Sequence, residues 1–302
     1  MSREVTSGAR QDLTVAAAKR SAQRAQTGAA VSRTFALSTL LLGSIVFLVP
    51  FYVMLAIAFK TEKELGATEI WSWPQNPTIE NFKYVIENPN VSFALFLRNT
   101  IFVSFTTTVG VLFSSSLVAY AFARLKFAGR DRLFMLLLAT MMLPGIVTMI
   151  PTYVLFAKLG WVNSFRPLVI PAFFGGGAFN IFLLRQFYLG IPRELDEAAF
   201  LDGASYWTIF SRIIAPLSGP VFAVVGMFTF FGTWKDFNGP LLYLNDPELQ
   251  TNELGLSTYN ALQASKWHLV MAGSVLVMIP IVILFFLGQR YFVKGIVMTG
   301  GK

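Results

Sequence analysis

Three stretches of this sequence carry residue types able to do chemistry. His268 is the single histidine, Gly295 to Lys302 is a glycine run that ends in lysine, and Ile191 to Gly203 holds four acids. The chain has no cysteine, so neither a disulfide nor a Cys-ligated metal site can form. His268 stands at the outer edge of an apolar stretch, where it reads as an interfacial residue rather than a proton relay. The Gly295 to Lys302 run has a misplaced glycine and no Ser or Thr after its lysine, so it cannot cradle phosphate as a P-loop does. ATP hydrolysis, if the chain depends on it, belongs to another polypeptide.

The acidic stretch is the most informative. In Ile191-Pro192-Arg193-Glu194-Leu195-Asp196-Glu197-Ala198-Ala199-Phe200-Leu201-Asp202-Gly203, Pro192 suits a first helical position and the following acids suit the positive end of a helix. Arg193 and Glu197 are spaced for an i, i+4 contact. Leu195, Ala198, Ala199 and Leu201 offer a small apolar face, and Gly203 is placed to end the helix. Such a short, delimited helix either sits in another protein's groove or lies on a membrane surface.

The elements that must position it are membrane spans. Apolar residues make up 55% of the 302 and charged ones only 13%, far below the quarter expected of a soluble globular protein. Six stretches lack any Asp, Glu, Lys or Arg: 34–59, 99–123, 133–157, 167–184, 213–234 and 267–289. Most are long enough to cross a hydrocarbon core as helix, 167–184 being the shortest. Pro50, Pro144, Pro151, Pro171, Pro220 and Pro280 fall inside them, so kinked helices are expected.

The net charge of +8 suggests nucleic acid until its distribution is examined. With residues 1–33 cytoplasmic, the inner segments (1–33, 124–132, 185–212 and 290–302) hold 16 Lys and Arg against 7 acids, and the outer ones 8 against 9. The positive-inside rule then places both termini in the cytoplasm, and the charge needs no nucleic-acid partner. Residues 1–33 read as a basic tail near anionic headgroups. The outer segment 60–98 carries Trp71 and Trp73 at interface-like positions and an amphipathic pattern over Ile79, Phe82, Val85 and Ile86. The outer segment 235–266 is rich in turn formers, with Asn238-Gly239-Pro240 and Asn245-Asp246-Pro247.

Apart from His268 at the edge of the last one, the spans hold no Asp, Glu, Lys, Arg or His, which disfavours an ion-coupled carrier and favours a neutral polar cargo. Asn180, Thr229, Thr233 and Trp234 are the candidates to face a transport path, or equally to pack helices together. Gly175-Gly176-Gly177 either lets the fourth span unwind at such a path or permits close packing.

Glu197-Ala198-Ala199, three residues, Gly203, nine residues, Ile213, two residues and Pro216 resembles the EAA loop of ABC importer inner-membrane permeases. Asn81-Phe82, Gly160-Trp161-Val162-Asn163-Ser164 and Gln289-Arg290-Tyr291-Phe292-Val293-Lys294-Gly295 extend the resemblance to the carbohydrate-uptake class, as a MalG-like subunit. Ala215 departs from the family's usual Leu before the proline.

The resemblance implies an all-α integral membrane protein with six transmembrane helices, a type I ABC importer permease (MetI-like) fold, N-in and C-in. Its organisation would be a tail over 1–33, a permease domain over 34–289 with the EAA coupling loop at 185–212, and a cytoplasmic tail over 290–302 that approaches the ATPases. The function implied is that of a permease subunit forming half of a sugar or oligosaccharide pathway, not an enzyme. The alternatives are an ion-coupled secondary carrier or an ABC permease for a non-sugar solute such as glycerol phosphate. The implied coupling residues are Glu197, Ala198, Ala199, Asp202, Gly203 and Pro216. Implied partners are a second homologous permease, two ATP-binding subunits carrying ATP and Mg, an extracytoplasmic solute-binding protein and the lipid bilayer, with no cofactor on this chain. Asn245, Asp246, Glu248 and Leu256 are the positions implied for contact with the binding protein. The location implied is a bacterial or archaeal plasma membrane.

Overall fold

A computed structural model describes residues 33–87, 93–263 and 266–297, with side chains as far as Gln289. The basic tail thus lies outside the described residues, apart from Arg33. All regular structure among the described residues is helical. In chain order the helices are α1 (Arg33–Ala58), α2 (Glu62–Ala67), α3 (Glu80–Glu87), α4 (Phe93–Arg124), α5 (Arg130–Thr140) and α6 (Gly145–Lys158). There follow α7 (Arg166–Val169), α8 (Ala178–Gly190), α9 (Glu194–Leu201), α10 (Tyr206–Ile209), α11 (Ala215–Leu217) and α12 (Gly219–Trp234). The chain ends with α13 (Asn238–Tyr243), α14 (Asn252–Leu262) and α15 (Trp267–Val297).

Four stretches are long and apolar enough to cross a membrane: α1, α4, the α7–α8 stretch and α15. Two bent pairs bring the number to six if each counts as one crossing. The expected single span 133–157 is instead α5 and α6, meeting at 97°. Pro144 is the cause: it precedes α6 with extended backbone, and the residue before a proline is pushed out of helical geometry. The fifth stretch bends by 77° between Tyr206–Leu217 and Gly219–Trp234. Pro216 and Pro220 are one turn apart and neither has an N–H to continue the ladder, so the chain passes through a π turn at Phe210–Ile214 and then breaks at Ser218. The fourth stretch also extends beyond the expected 167–184, through a 3₁₀ turn at Ile170–Phe173 and then α8.

Helix α4 is the central post, packed by α8, α12, α14, α5 and α7. Two apolar cores sit at its opposite ends. The one near the start of α4 gathers Ala58, Val85, Phe93, Phe96, Tyr259, Leu269 and Ala272. The one near its end gathers Tyr120, Phe122, Leu184, Tyr188, Ile191, Ala199, Ile209 and Ile214. Between them α4 presents small residues, which let the 3₁₀ turn come close. Ser114 Oγ donates to Ala172 O at 2.7 Å, Ser115 Oγ donates to Gly175 O at 3.3 Å, and Gly110 lies under the Phe173 ring.

The segment after α1 is tied down by polar contacts. Lys60 is fully buried, and its ammonium donates to Thr68 Oγ1, Glu69 O and Ser72 Oγ, which satisfies all three of its donors. Asn81, half of the Asn81-Phe82 pair, donates to Ala58 O and Lys60 O at 2.7 and 2.8 Å. Helix α3 forms over the expected amphipathic stretch, buries Val85 and leaves Ile79 and Ile86 exposed.

Candidate functional site

Helix α9 occupies the acidic stretch that the sequence singled out. It begins at Glu194 with Arg193 at its N-cap, so Pro192 stands before the cap rather than at the first helical position. Glu194, Asp196 and Glu197 all lie in the first turn, beside the positive end of the helix. At the other end Gly203 takes φ +78. There Gly203 N donates to Phe200 O at 3.0 Å and Ala204 N donates to Ala199 O at 2.9 Å, the paired bonds of a Schellman stop. An added Cβ at Gly203 would meet nothing within 4 Å, so glycine is favoured there by backbone conformation alone.

The expected Arg193–Glu197 ion pair is absent among the described residues. The acid that pairs is Asp196, with Arg124 Nη1 at 3.2 Å from its Oδ2. Arg124, the last residue of α4, also donates through Nη2 to Tyr188 O and Ile191 O, each at 2.7 Å. One guanidinium thus joins the end of α4, the end of α8 and the start of α9. Burial pushes the Asp196 carboxyl above its usual range, and the nearby Arg124 charge offsets only part of that. Tyr120 Oη donates to Tyr206 O at 3.2 Å, and its ring packs on Phe210, holding α10 from the same post.

This anchoring divides the apolar face expected for α9. Ala199 turns inward and is 9% exposed, whereas Leu201 is 90% exposed and Leu195 42%. Glu197, Ala198 and Asp202 are exposed beside Leu201, and Pro216 is exposed on α11 before the bend. Sequence reasoning missed Arg124 and Tyr120. A basic residue at the end of an apolar span looks like any interfacial anchor, and its partner lies 72 positions on.

The candidate path residues are dispersed. Asn180 is half-buried and donates to Gly176 O at 2.8 Å, closing the break at Gly175–Gly177, where all three glycines have positive φ. Trp234 is 1% exposed and stacks on Phe230. Thr229 Oγ1 is buried without a hydrogen-bond partner, and Thr233 donates to Thr229 O at 2.9 Å. Thr233 also lines a cavity of about 230 Å³ with Thr100, Thr107, Asp236 and Thr251.

The segment after α12 is largely helical and packed rather than a free loop. Asn163, at φ 61, accepts at Oδ1 from Asn245 N at 3.1 Å and Asp246 N at 2.9 Å, and its own N–H donates to Tyr243 O. Asn99 donates to Glu248 O and Gln250 O, and Thr100 Oγ1 accepts from Asn252 N. Asn245 and Glu248 are exposed, whereas Leu256 is half-buried against the core that holds Phe93 and Phe96. Burial raises the Glu253 carboxyl, partly offset by Lys235, and pushes the Tyr259 phenol up to about 12. Among the described residues no group of three or more His, Asp or Glu is placed to hold a metal. The arrangement is a short helix anchored on a buried post.

Residues 110–298 match the family described as binding-protein-dependent transport system inner membrane component. The chain is 34% identical over 256 residues to the arabinooligosaccharides transport system permease protein AraQ of Halalkalibacterium halodurans, covering 84% of this chain and 90% of that one. It is 30% identical over 257 residues to the trehalose/maltose transport system permease protein MalG of Thermococcus litoralis, with 85% and 92% covered. Against the sn-glycerol-3-phosphate transport system permease protein UgpE of Salmonella typhi it is 34% identical over 269 residues, with 87% and 95% covered. Its fold is similar to a chain of a bacterial ABC transporter involved in the import of the acidic polysaccharide alginate, at TM-score 0.76 and 22% identity, covering 86% of this chain and 97% of that one.

Proposed function

The chain belongs to the binding-protein-dependent transport system inner membrane components, and from that membership we propose that it forms half of a sugar or oligosaccharide pathway driven through α9. As an ABC transporter permease it is a transport component and not an enzyme. In this reading it crosses a bacterial or archaeal plasma membrane six times, with both termini inside, and pairs with a second, similar permease. The inner excess of Lys and Arg supports the orientation.

One observation carries the coupling role: α9 is fixed to α4 and α8 through Arg124 yet turns Leu201, Ala198 and Glu197 outward. A helix held this way transmits displacement from a separate ATP-binding subunit to the post of the membrane domain, because the packed core behind it resists compression. Glu197, Ala198 and Asp202 lie at or beside the contact, Ala199 and Gly203 hold the helix in shape, and Pro216 helps bend the chain back into the membrane. ATP and Mg belong to two such ATPase partners. The exposed rim of Asn245 and Glu248, braced by Asn163, is the proposed contact for the extracytoplasmic solute-binding protein.

Sugar is the favoured cargo because the six apolar stretches read from the sequence carry no Asp, Glu, Lys or Arg and the named relatives AraQ and MalG are arabinooligosaccharide and trehalose/maltose permeases. UgpE, a glycerol-3-phosphate permease, supports a second reading, a phosphorylated polyol. Reconstitution of the permease pair with its ATPases and loaded binding protein tests both. ATP-dependent uptake that disappears with Glu197→Lys, while the chain stays inserted, is the expected result. Uptake by this chain without any ATPase would sink the reading.

A further inference from the structure

On the same side of the molecule as α9, the turn between α4 and α5 and the start of α9 enclose an open cavity of about 760 Å³. Its charged lining is Lys126, Arg130, Asp131, Arg132 and Arg193. Arg130 Nε pairs with Asp131 Oδ1 at 2.9 Å, and that contact holds the Asp131 carboxyl below its usual range, so the one acid in the cavity is already neutralised. Lys126, Arg132 and Arg193 have no ion pair among the described residues and are exposed.

Three exposed cations outside any ion pair therefore converge beside the ends of two apolar helices, with Arg193 also in electrostatic contact with Asp196. The cavity is continuous with an apolar surface: Phe127 forms part of its wall at 41% exposure, and Leu133, Met135 and Leu136 follow along α5 at 50%, 62% and 64%. A ligand matching both parts needs an anionic head for the cavity and hydrocarbon for the flank. We propose that this cavity binds the phosphate of an anionic phospholipid of the inner leaflet, with its acyl chains along α5. Basic pockets between membrane helices suit such headgroups, each Lys or Arg near the surface adding roughly fivefold to the attraction. Arg193 is the N-cap of α9, so the lipid would touch the helix proposed to couple the ATPases, and its placement in the inner leaflet rests on the orientation proposed above.

The test uses the assembled importer in nanodiscs of phosphatidylcholine with or without phosphatidylglycerol, with retained lipid counted by native mass spectrometry and uptake followed in parallel vesicles. Lys126→Gln with Arg132→Gln should weaken phosphatidylglycerol retention about 30-fold, from two lost charges. Lys126→Arg with Arg132→Lys should retain it, as should Arg98→Gln with Arg166→Gln at the opposite end. Equal retention by the first pair and the wild type would overturn the proposal. So would protection of Lys126 and Arg132 from labelling by inorganic phosphate alone, or by the docked ATPase in pure phosphatidylcholine. Failed uptake by a wild type that still retains the lipid would count against the transport reading and leave this one standing.

Discussion

Arg124 and Asp196 meet at 3.2 Å with side chains 3% and 14% exposed, and this contact fastens the proposed coupling helix to the central post. Breaking a buried pair from one side leaves an uncompensated charge and costs about 3–5 kcal/mol. Asp196→Ala should therefore lower the melting temperature and uncouple ATPase activity from uptake. Arg124→Met with Asp196→Leu should recover much of the melting temperature without recovering the coupling. Recovery of both would mean that the pair only fills space.

The same carboxylate has a pH signature. Its folded-state value is raised, chiefly by burial, so protons bind the native form before the unfolded one. As pH falls from the raised value toward the ordinary 3.8, the wild type should gain stability relative to Asp196→Asn. Below that the gap should be flat. Melting curves of the two proteins across acid pH measure it, and a gap that moves the other way would show that Arg124 outweighs burial.

Gly203 ends α9 with φ +78 and open space around it. Gly203→Ala should cost about 1–2 kcal/mol from backbone conformation alone, and Gly203→Asn should cost less. Gly203→Pro removes the N–H that donates to Phe200 O and should abolish transport while leaving the chain inserted. Substrate-stimulated ATPase in the three variants should follow that order.

Leu201, 90% exposed, has little to lose within this chain. Leu201→Lys should leave its stability within about 0.5 kcal/mol and still prevent co-purification of the ATP-binding subunits. Stable ATPase binding by this variant would remove α9 from the interface.

Asn163→Ala deletes the acceptor for Asn245 N and Asp246 N and keeps a strained positive φ. It should cost about 1–2 kcal/mol and impair delivery from the binding protein, with basal ATPase unchanged. Point changes are needed here because excising 245–256 would also remove Leu254 and Gly255, both buried, Gly255 against the Phe96 ring.

Much of the form of α9, the proposed coupling helix, was legible in one dimension because it is local. The acids of α9 answer the dipole of their own helix, and Gly203 answers a backbone conformation one residue past the helical stop, both within a short stretch of chain. The apolar stretches were legible for a similar reason, since the bilayer sets the length of uncharged chain that a crossing requires. Tertiary structure alone decided that Asp196 rather than Glu197 is the paired acid, that Ala199 faces the core while Leu201 faces out, and that Asn163 braces a segment 82 residues away. It also set the angles of two expected kinks, at 97° and 77°. Proline marks where a helix can break, but the angle depends on what packs beyond the break. A charge near a span end carries no sign of the partner that folding brings to it.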